Sequence, residues 1–123
     1  MPIAEKECER VGRVNSGPYG SCIHGIGHGI ASYHQSKSLK ESLADCDHLS
    51  NGQNFCYDGV LMEFARSAGD NFYSKNNPLY PCDQLEKEFG QKYSVACGRN
   101  QPPLLMGRLN LGFGEVAQIC TDA

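Results

Sequence analysis

The sequence lacks the features that mark several large classes of protein. None of its apolar runs is long enough to span a bilayer, and its lysines and arginines form no stripe of the kind that binds nucleic acid. The net charge is only −3, with both signs scattered along the chain. We therefore expect no membrane span and no nucleic-acid partner, and 123 residues are enough for one globular domain.

Several short motifs are also missing. The cysteines form no C-x-x-C pair, which argues against zinc ribbons, thioredoxin-like redox sites and covalently attached haem. The sequence has no G-x-S-x-G nucleophile motif. Its opening residues, MPIAEKECERV, contain no apolar segment of the signal-peptide type. Secretion would therefore require a leader that this sequence does not contain.

What the chain does have is seven cysteines, spread from position 8 to position 120. Such spacing is typical of a disulfide framework formed in an oxidising compartment, so we expect a secreted or periplasmic protein. The alternative is a cytosolic protein with buried free thiols.

The cysteines fall into two alternating types that indicate an internal repeat. A cysteine of the first type begins CIHG at 22 and CYDG at 56, and one of the second type begins CDHL at 46 and CDQL at 82. The distance in sequence between cysteines of the same type is typical of helix–turn–helix repeats. They predict repeat-like units at 22–55, 56–96 and 97–123, which together form one domain at 22–123. Residues 1–21 would be an N-terminal arm or the remnant of a preceding repeat.

Hydrophobic periodicity predicts helices in these units. Residues 22–35 and 56–68 each carry an apolar stripe, with Gly69 ending the second helix. Ser38 starts a capping box, and Pro81 suits the first turn of a further helix. A break at 99–103 would precede a last helix that begins at Pro103. The expected fold is all-α, a short α-solenoid-like set of disulfide-pinned helical hairpins; the alternative is an irregular disulfide-rich α+β domain.

Antiparallel hairpins also predict how the cysteines pair. The start of one helix would lie beside the end of the next, which joins Cys22–Cys46, Cys56–Cys82 and Cys97–Cys120. The rival pairing is 8–22, 46–56 and 82–97, and the sequence does not exclude it. In the first scheme Cys8 remains free or forms an intermolecular bond. We then expect a homo-oligomer or a larger parent protein.

The segment HGIGHG places His24 and His28 one helical turn apart. Both lie away from the apolar stripe of their helix, which weakens their interpretation as core residues. Gly25 and Gly29 flank the pair, and we expect them to reduce steric bulk there so that a backbone or a flat ligand can approach.

The repeat supplies neighbours for this pair. A shift of 34 residues puts Asp58 opposite His24 and Met62 opposite His28. Two imidazoles and a carboxylate suit zinc or iron, and an added thioether favours copper. The predicted metal ligands are thus His24, His28, Asp58 and Met62, while Glu63 is a candidate acid–base group.

Three functions remain open from the sequence. The first is an extracytoplasmic module for binding or self-assembly that carries a divalent transition metal (Zn, Cu or Fe) or no cofactor. The second is a small metal-dependent or acid–base enzyme that uses the His pair with Asp58 or Glu63. The third is a purely structural role, in which the histidines and glycines serve helix packing.

Overall fold

A computed structural model describes residues 2–67, 76–107 and 110–122 of the chain. Within these ranges the chain forms seven α-helices and no strand, so the expected all-α class is confirmed. The helices are α1 (Pro2–Val11), α2 (Gly17–Tyr33), α3 (Leu39–Cys46), α4 (Gln53–Ser67), α5 (Cys82–Phe89), α6 (Ser94–Gly107) and α7 (Phe113–Asp122). No helix in these ranges is long and apolar enough to cross a membrane.

Local capping sets where two of the helices begin. Ser16 caps α2, since its Oγ accepts a hydrogen bond from the Tyr19 amide at 3.3 Å. This helix therefore begins five residues before the predicted start at 22. Ser38 caps α3 in the same way, through the Glu41 amide at 3.4 Å, as the sequence predicts. The predicted end of α4 at Gly69 lies outside the described residues.

The predicted break at 99–103 is wrong, because α6 continues through Pro102 and Pro103. Tertiary contacts hold the residues just before the prolines. Asn100 donates to the Asp58 carboxylate at 2.8 Å, and the Gln101 amide donates to the carbonyl of Tyr80 at 3.1 Å. These contacts with neighbouring elements outweigh the low helix propensity of proline. The last helix, α7, accordingly begins at Phe113 and not at Pro103.

Helices α2 and α4 form the centre of the fold. They pack against each other, and α1, α3 and α6 pack around them. Fully buried side chains from these helices form the main core, among them Tyr19, Ile23, Leu43, Val60 and Leu61. A second, smaller core lies between α6 and α7, around Leu105 and Val116.

The disulfides follow the rival pairing. They join Cys8–Cys22, Cys46–Cys56 and Cys82–Cys97, and the cysteine left free is the exposed Cys120. The predicted hairpin bridges are therefore wrong, as is the prediction that Cys8 is unpaired. Each bond links one helix to the next along the chain, α1 to α2, α3 to α4 and α5 to α6, across separations of 10 to 15 residues. The division into repeat units stays a prediction.

Candidate functional site

The two central helices cross with their backbones in close contact at Gly27 of α2 and Gly59 of α4. A Cβ atom added to Gly27 would lie 2.1 Å from the carbonyl oxygen of Cys56. One added to Gly59 would lie 2.1 Å from the carbonyl oxygen of His24. Only glycine fits at either position, because no other residue lets the two backbones come so near.

This crossing places the His pair beside two carboxylates of α4. His24 Nδ1 lies 3.1 Å from Asp58 Oδ2, and His28 Nδ1 lies 3.0 Å from Glu63 Oε1. The remaining ring nitrogens face each other, with 3.0 Å between the two Nε2 atoms. The four side chains thus form a continuous chain of contacts, in the order Asp58, His24, His28 and Glu63.

Solvent exposure differs among these four side chains. The carboxylates are largely buried, with 10% of the Asp58 and 8% of the Glu63 side chain exposed. The imidazoles lie nearer the surface, and about a quarter of each is exposed. Solvent therefore has access to the imidazoles, while the carboxylates support them from the protein side.

The contacts define where protons sit on the two rings. An ionised carboxylate only accepts hydrogen bonds, so each Nδ1 that contacts one carries a proton and donates it. The two Nε2 atoms lie 3.0 Å apart, which is within hydrogen-bond distance.

Further hydrogen bonds fix both carboxylates. The second oxygen of Asp58 accepts from the Asn100 side chain. Glu63 also accepts from the Ser67 hydroxyl and from the Arg66 guanidinium at 2.7 and 3.0 Å. Hydrogen bonds from Ser67, His28 and Arg66 lower the pKa of Glu63 to about 2, although its burial acts in the opposite direction. Glu63 is therefore ionised at neutral pH.

The predicted ligands take different positions in this arrangement. Asp58 contacts His24, but at Nδ1, on the side away from the facing Nε2 atoms. Met62 is exposed, and the α4 residue in contact with His28 is Glu63. Across the described ranges, no three His, Cys, Asp or Glu side chains are arranged to hold one metal ion. The carboxylates thus support the imidazoles from outside, and the ligation itself stays a prediction.

The glycines also take roles other than those expected. Gly25 and Gly29 are exposed, and a Cβ added to either would meet no atom within 4 Å. The backbone that approaches α2 does so at Gly27, on a different face of the helix. The sequence signal for this contact is Gly59, the glycine of CYDG. Its repeat equivalent is Gly25, but in the fold Gly59 packs against the backbone of His24 and His28.

A second polar cluster was not predicted from the sequence. Asp47 accepts hydrogen bonds from Tyr57, from Tyr93 at 3.0 Å and from Lys92 at 2.7 Å. Although burial raises the pKa of Asp47, the bonds from Lys92, Tyr57 and Tyr93 lower it overall. These bonds tie α3 to α4 and to the segment before α6, so we assign the cluster a structural role.

The remaining histidines lie apart from the pair. His34 Nε2 contacts Asp45 Oδ2 at 2.8 Å, near the end of α2. His48 is exposed after α3. A cavity of about 350 Å³ lies between α5, α6 and α7, and the free Cys120 is among its lining residues.

No protein-family model, curated protein or solved structure gives a significant match to this chain. A functional proposal must therefore rest on the chain's own residues. Among the described clusters, the facing imidazoles of His24 and His28 combine solvent access with fixed polar support.

Proposed function

We propose that this chain is an extracytoplasmic helical module that binds a divalent transition metal through the Nε2 atoms of His24 and His28. The observation that carries the proposal is the facing of these two atoms at 3.0 Å, with each Nδ1 directed to a carboxylate.

The spacing of the two nitrogens suits a common ion. Imidazole nitrogens bind zinc at about 2.0–2.1 Å. Two such nitrogens lie about 2.9 Å apart when the angle at the metal is 90°, and about 3.4 Å apart when it is tetrahedral. The spacing of 3.0 Å in this chain falls within that range. The distance between the two nitrogens is therefore compatible with one ion bound to both.

The surroundings of the pair also favour ligation. Metal-bound histidines usually donate their other ring N–H to a carboxylate, which fixes the tautomer and makes the ligating nitrogen more basic. Asp58 and Glu63 accept in this way from His24 and His28. The two carboxylates behind the imidazoles would also attract a divalent ion bound between them.

The donor set leaves zinc, copper and iron as candidates, since imidazole suits all three. The thioether of Met62, which would favour copper, belongs to an exposed side chain. At equal availability, copper would still bind most tightly, following the general affinity order of divalent metals.

Three disulfides support an extracytoplasmic location, because such bonds persist in oxidising compartments. A chain stabilised in this way keeps its fold outside the cell while its His pair stays accessible. Secretion remains part of the proposal.

Calorimetric titration of the chelator-treated, oxidised chain with Zn²⁺ and with Cu²⁺ tests the proposal. We expect saturable uptake that weakens as the pH falls, because protons compete for the ligating nitrogens. The variant His24→Ala/His28→Ala should lose this uptake while keeping its helical circular dichroism. His48→Ala, which removes an exposed histidine outside the pair, is the matched control.

The supporting carboxylates give a graded test of the same site. Asp58→Asn keeps the shape of the side chain but removes its charge, and it should weaken metal binding by roughly 10–100-fold. Equal metal uptake by the wild type and by His24→Ala/His28→Ala would overturn the proposal, as would no uptake by either.

A further inference from the structure

The His pair supplies two ligands for an ion, and the described residues place no others beside it. Asp58 and Glu63 accept hydrogen bonds from Asn100, Arg66 and Ser67, which hold them on the Nδ1 side of the rings. The described residues contain no third His, Cys, Asp or Glu arranged to complete the site. Zinc takes four ligands in most protein sites, so two positions remain to be filled.

The surface beside the His pair is formed in part by two glycines, which have no side chains. Gly25 and Gly29 are exposed on α2, next to the two histidines, and have open space where their side chains would project. No side chain from either position therefore shields the imidazoles. A second protein backbone can approach the pair from this side.

We infer that a second copy of this chain supplies the missing ligands, so that one ion is held by two His24–His28 pairs. This inference rests on the metal binding proposed above. Two copies related by a twofold axis through the ion would present the same surface to each other, as in an isologous dimer. Together they contribute four imidazoles, which is the full ligand number of a closed zinc site.

Charge makes the contact between two copies depend on the ion. Each copy has a net charge of −3, so metal-free copies repel each other. In the dimer the ion lies among four carboxylates, Asp58 and Glu63 from each copy. The ion and the two Arg66 guanidinium groups, which pair with Glu63, balance those four charges.

Sedimentation velocity of the oxidised full chain, titrated with Zn²⁺ alone, tests the inference. Cys120→Ser is used as the background, because this exposed thiol could otherwise link two copies covalently. We expect a monomer without zinc, a dimer at half an equivalent of zinc, and a monomer again after chelation. Calorimetry should give one ion per two chains.

Two variants separate the interface from the metal site. Gly25→Leu and Gly29→Leu place a bulky side chain in the open space beside the pair and should abolish the dimer while keeping zinc binding, at one ion per chain. Their fold should be retained, since nothing lies within 4 Å and leucine favours helix more than glycine does. Gly114→Leu, at an equally open position on α7, is the control and should still dimerise.

The outcomes distinguish the two proposals. A wild-type chain that binds one zinc ion and stays monomeric overturns the second-copy inference and leaves metal binding at the pair intact. Absence of zinc uptake overturns both. A zinc-dependent dimer that survives His24→Ala/His28→Ala, or that forms unchanged in Gly25→Leu, overturns the inference by placing the contact elsewhere.

Discussion

Alanine substitutions at four glycines test the helix crossing that positions the site. At Gly27 and Gly59 an added Cβ would lie 2.1 Å from a backbone carbonyl oxygen of the other helix. Ordinary contacts between such atoms begin at about 3.4 Å, so α2 and α4 would have to separate by more than about 1 Å. At Gly25 and Gly29 the added Cβ meets nothing within 4 Å, and the helices can stay in place.

Alanine at Gly27 or Gly59 should lower the free energy of unfolding, whereas alanine at Gly25 or Gly29 should raise it. Overpacking a rigid contact costs about 1–3 kcal/mol. We expect the upper end of this range, because the obstacle is backbone and cannot rotate away. Alanine also stabilises a helix interior by about 1 kcal/mol relative to glycine, so Gly27→Ala and Gly59→Ala should be destabilised by about 2 kcal/mol net. Gly25→Ala and Gly29→Ala should each gain about 0.5–1 kcal/mol.

Urea unfolding followed by helical circular dichroism, with the disulfides intact, measures these differences. A loss of about 2 kcal/mol in a chain of this size corresponds to a fall in Tm of roughly 6–10 °C. Gly59→Ala should also weaken metal binding, because its Cβ would displace the backbone of His24 and His28. If Gly27→Ala proves as stable as Gly25→Ala, the close crossing of the two helices is refuted.

Three further predictions concern the polar clusters and the thiols. The pKa of Glu63 is lowered from 4.5 to about 2 in the fold. The stability that ionised Glu63 contributes is therefore complete above pH 4.5 and is lost as the pH falls toward 2. The free energy of unfolding of Glu63→Gln, measured over the same acid range, should lack this loss. A pH profile equal to that of the wild type would contradict the assigned hydrogen bonds. Tyr57→Phe removes a hydrogen bond to Asp47 and should cost about 1–2 kcal/mol in urea unfolding, whereas Tyr33→Phe, at an exposed ring, should cost nothing measurable. Alkylation of the oxidised chain should modify one thiol, Cys120, and a second modified cysteine would contradict the disulfide pairing.

Local signals in the sequence predicted the parts of the fold that local interactions determine. The Ser38 cap is a contact between near neighbours, and α3 begins where the capping motif places it. The apolar stripes likewise predicted most of α2 and α4. The course of α6 through Pro102 and Pro103 depends instead on contacts with distant residues. Propensity alone therefore placed a break where tertiary packing keeps a helix.

The disulfide pairing also depends on contacts that the sequence pattern does not determine. The repeated cysteines identify equivalent positions, but they do not say which positions are neighbours in space. A hairpin model places the start of one helix beside the end of the next. In this fold each bond joins two consecutive helices, α1 to α2, α3 to α4 and α5 to α6. The sequence alone was compatible with both arrangements.

At the site, the repeat alignment brought the correct helices together but missed their register. It paired His24 with Asp58, and these side chains are in contact. It paired His28 with Met62, whereas the contact is with Glu63. A constant shift assumes that two helices run side by side at equal spacing. Because α2 and α4 cross, the partner of the second histidine moves one residue further along α4.

The same crossing therefore determines both the stability of the fold and the chemistry of the pair. The approach of Gly27 and Gly59 brings the α2 backbone against α4, and this approach brings both imidazoles within hydrogen-bond reach of α4 carboxylates. With each Nδ1 beside one of those carboxylates, the two Nε2 atoms lie 3.0 Å apart. Helix packing thus holds the two rings in the arrangement on which the metal proposal depends.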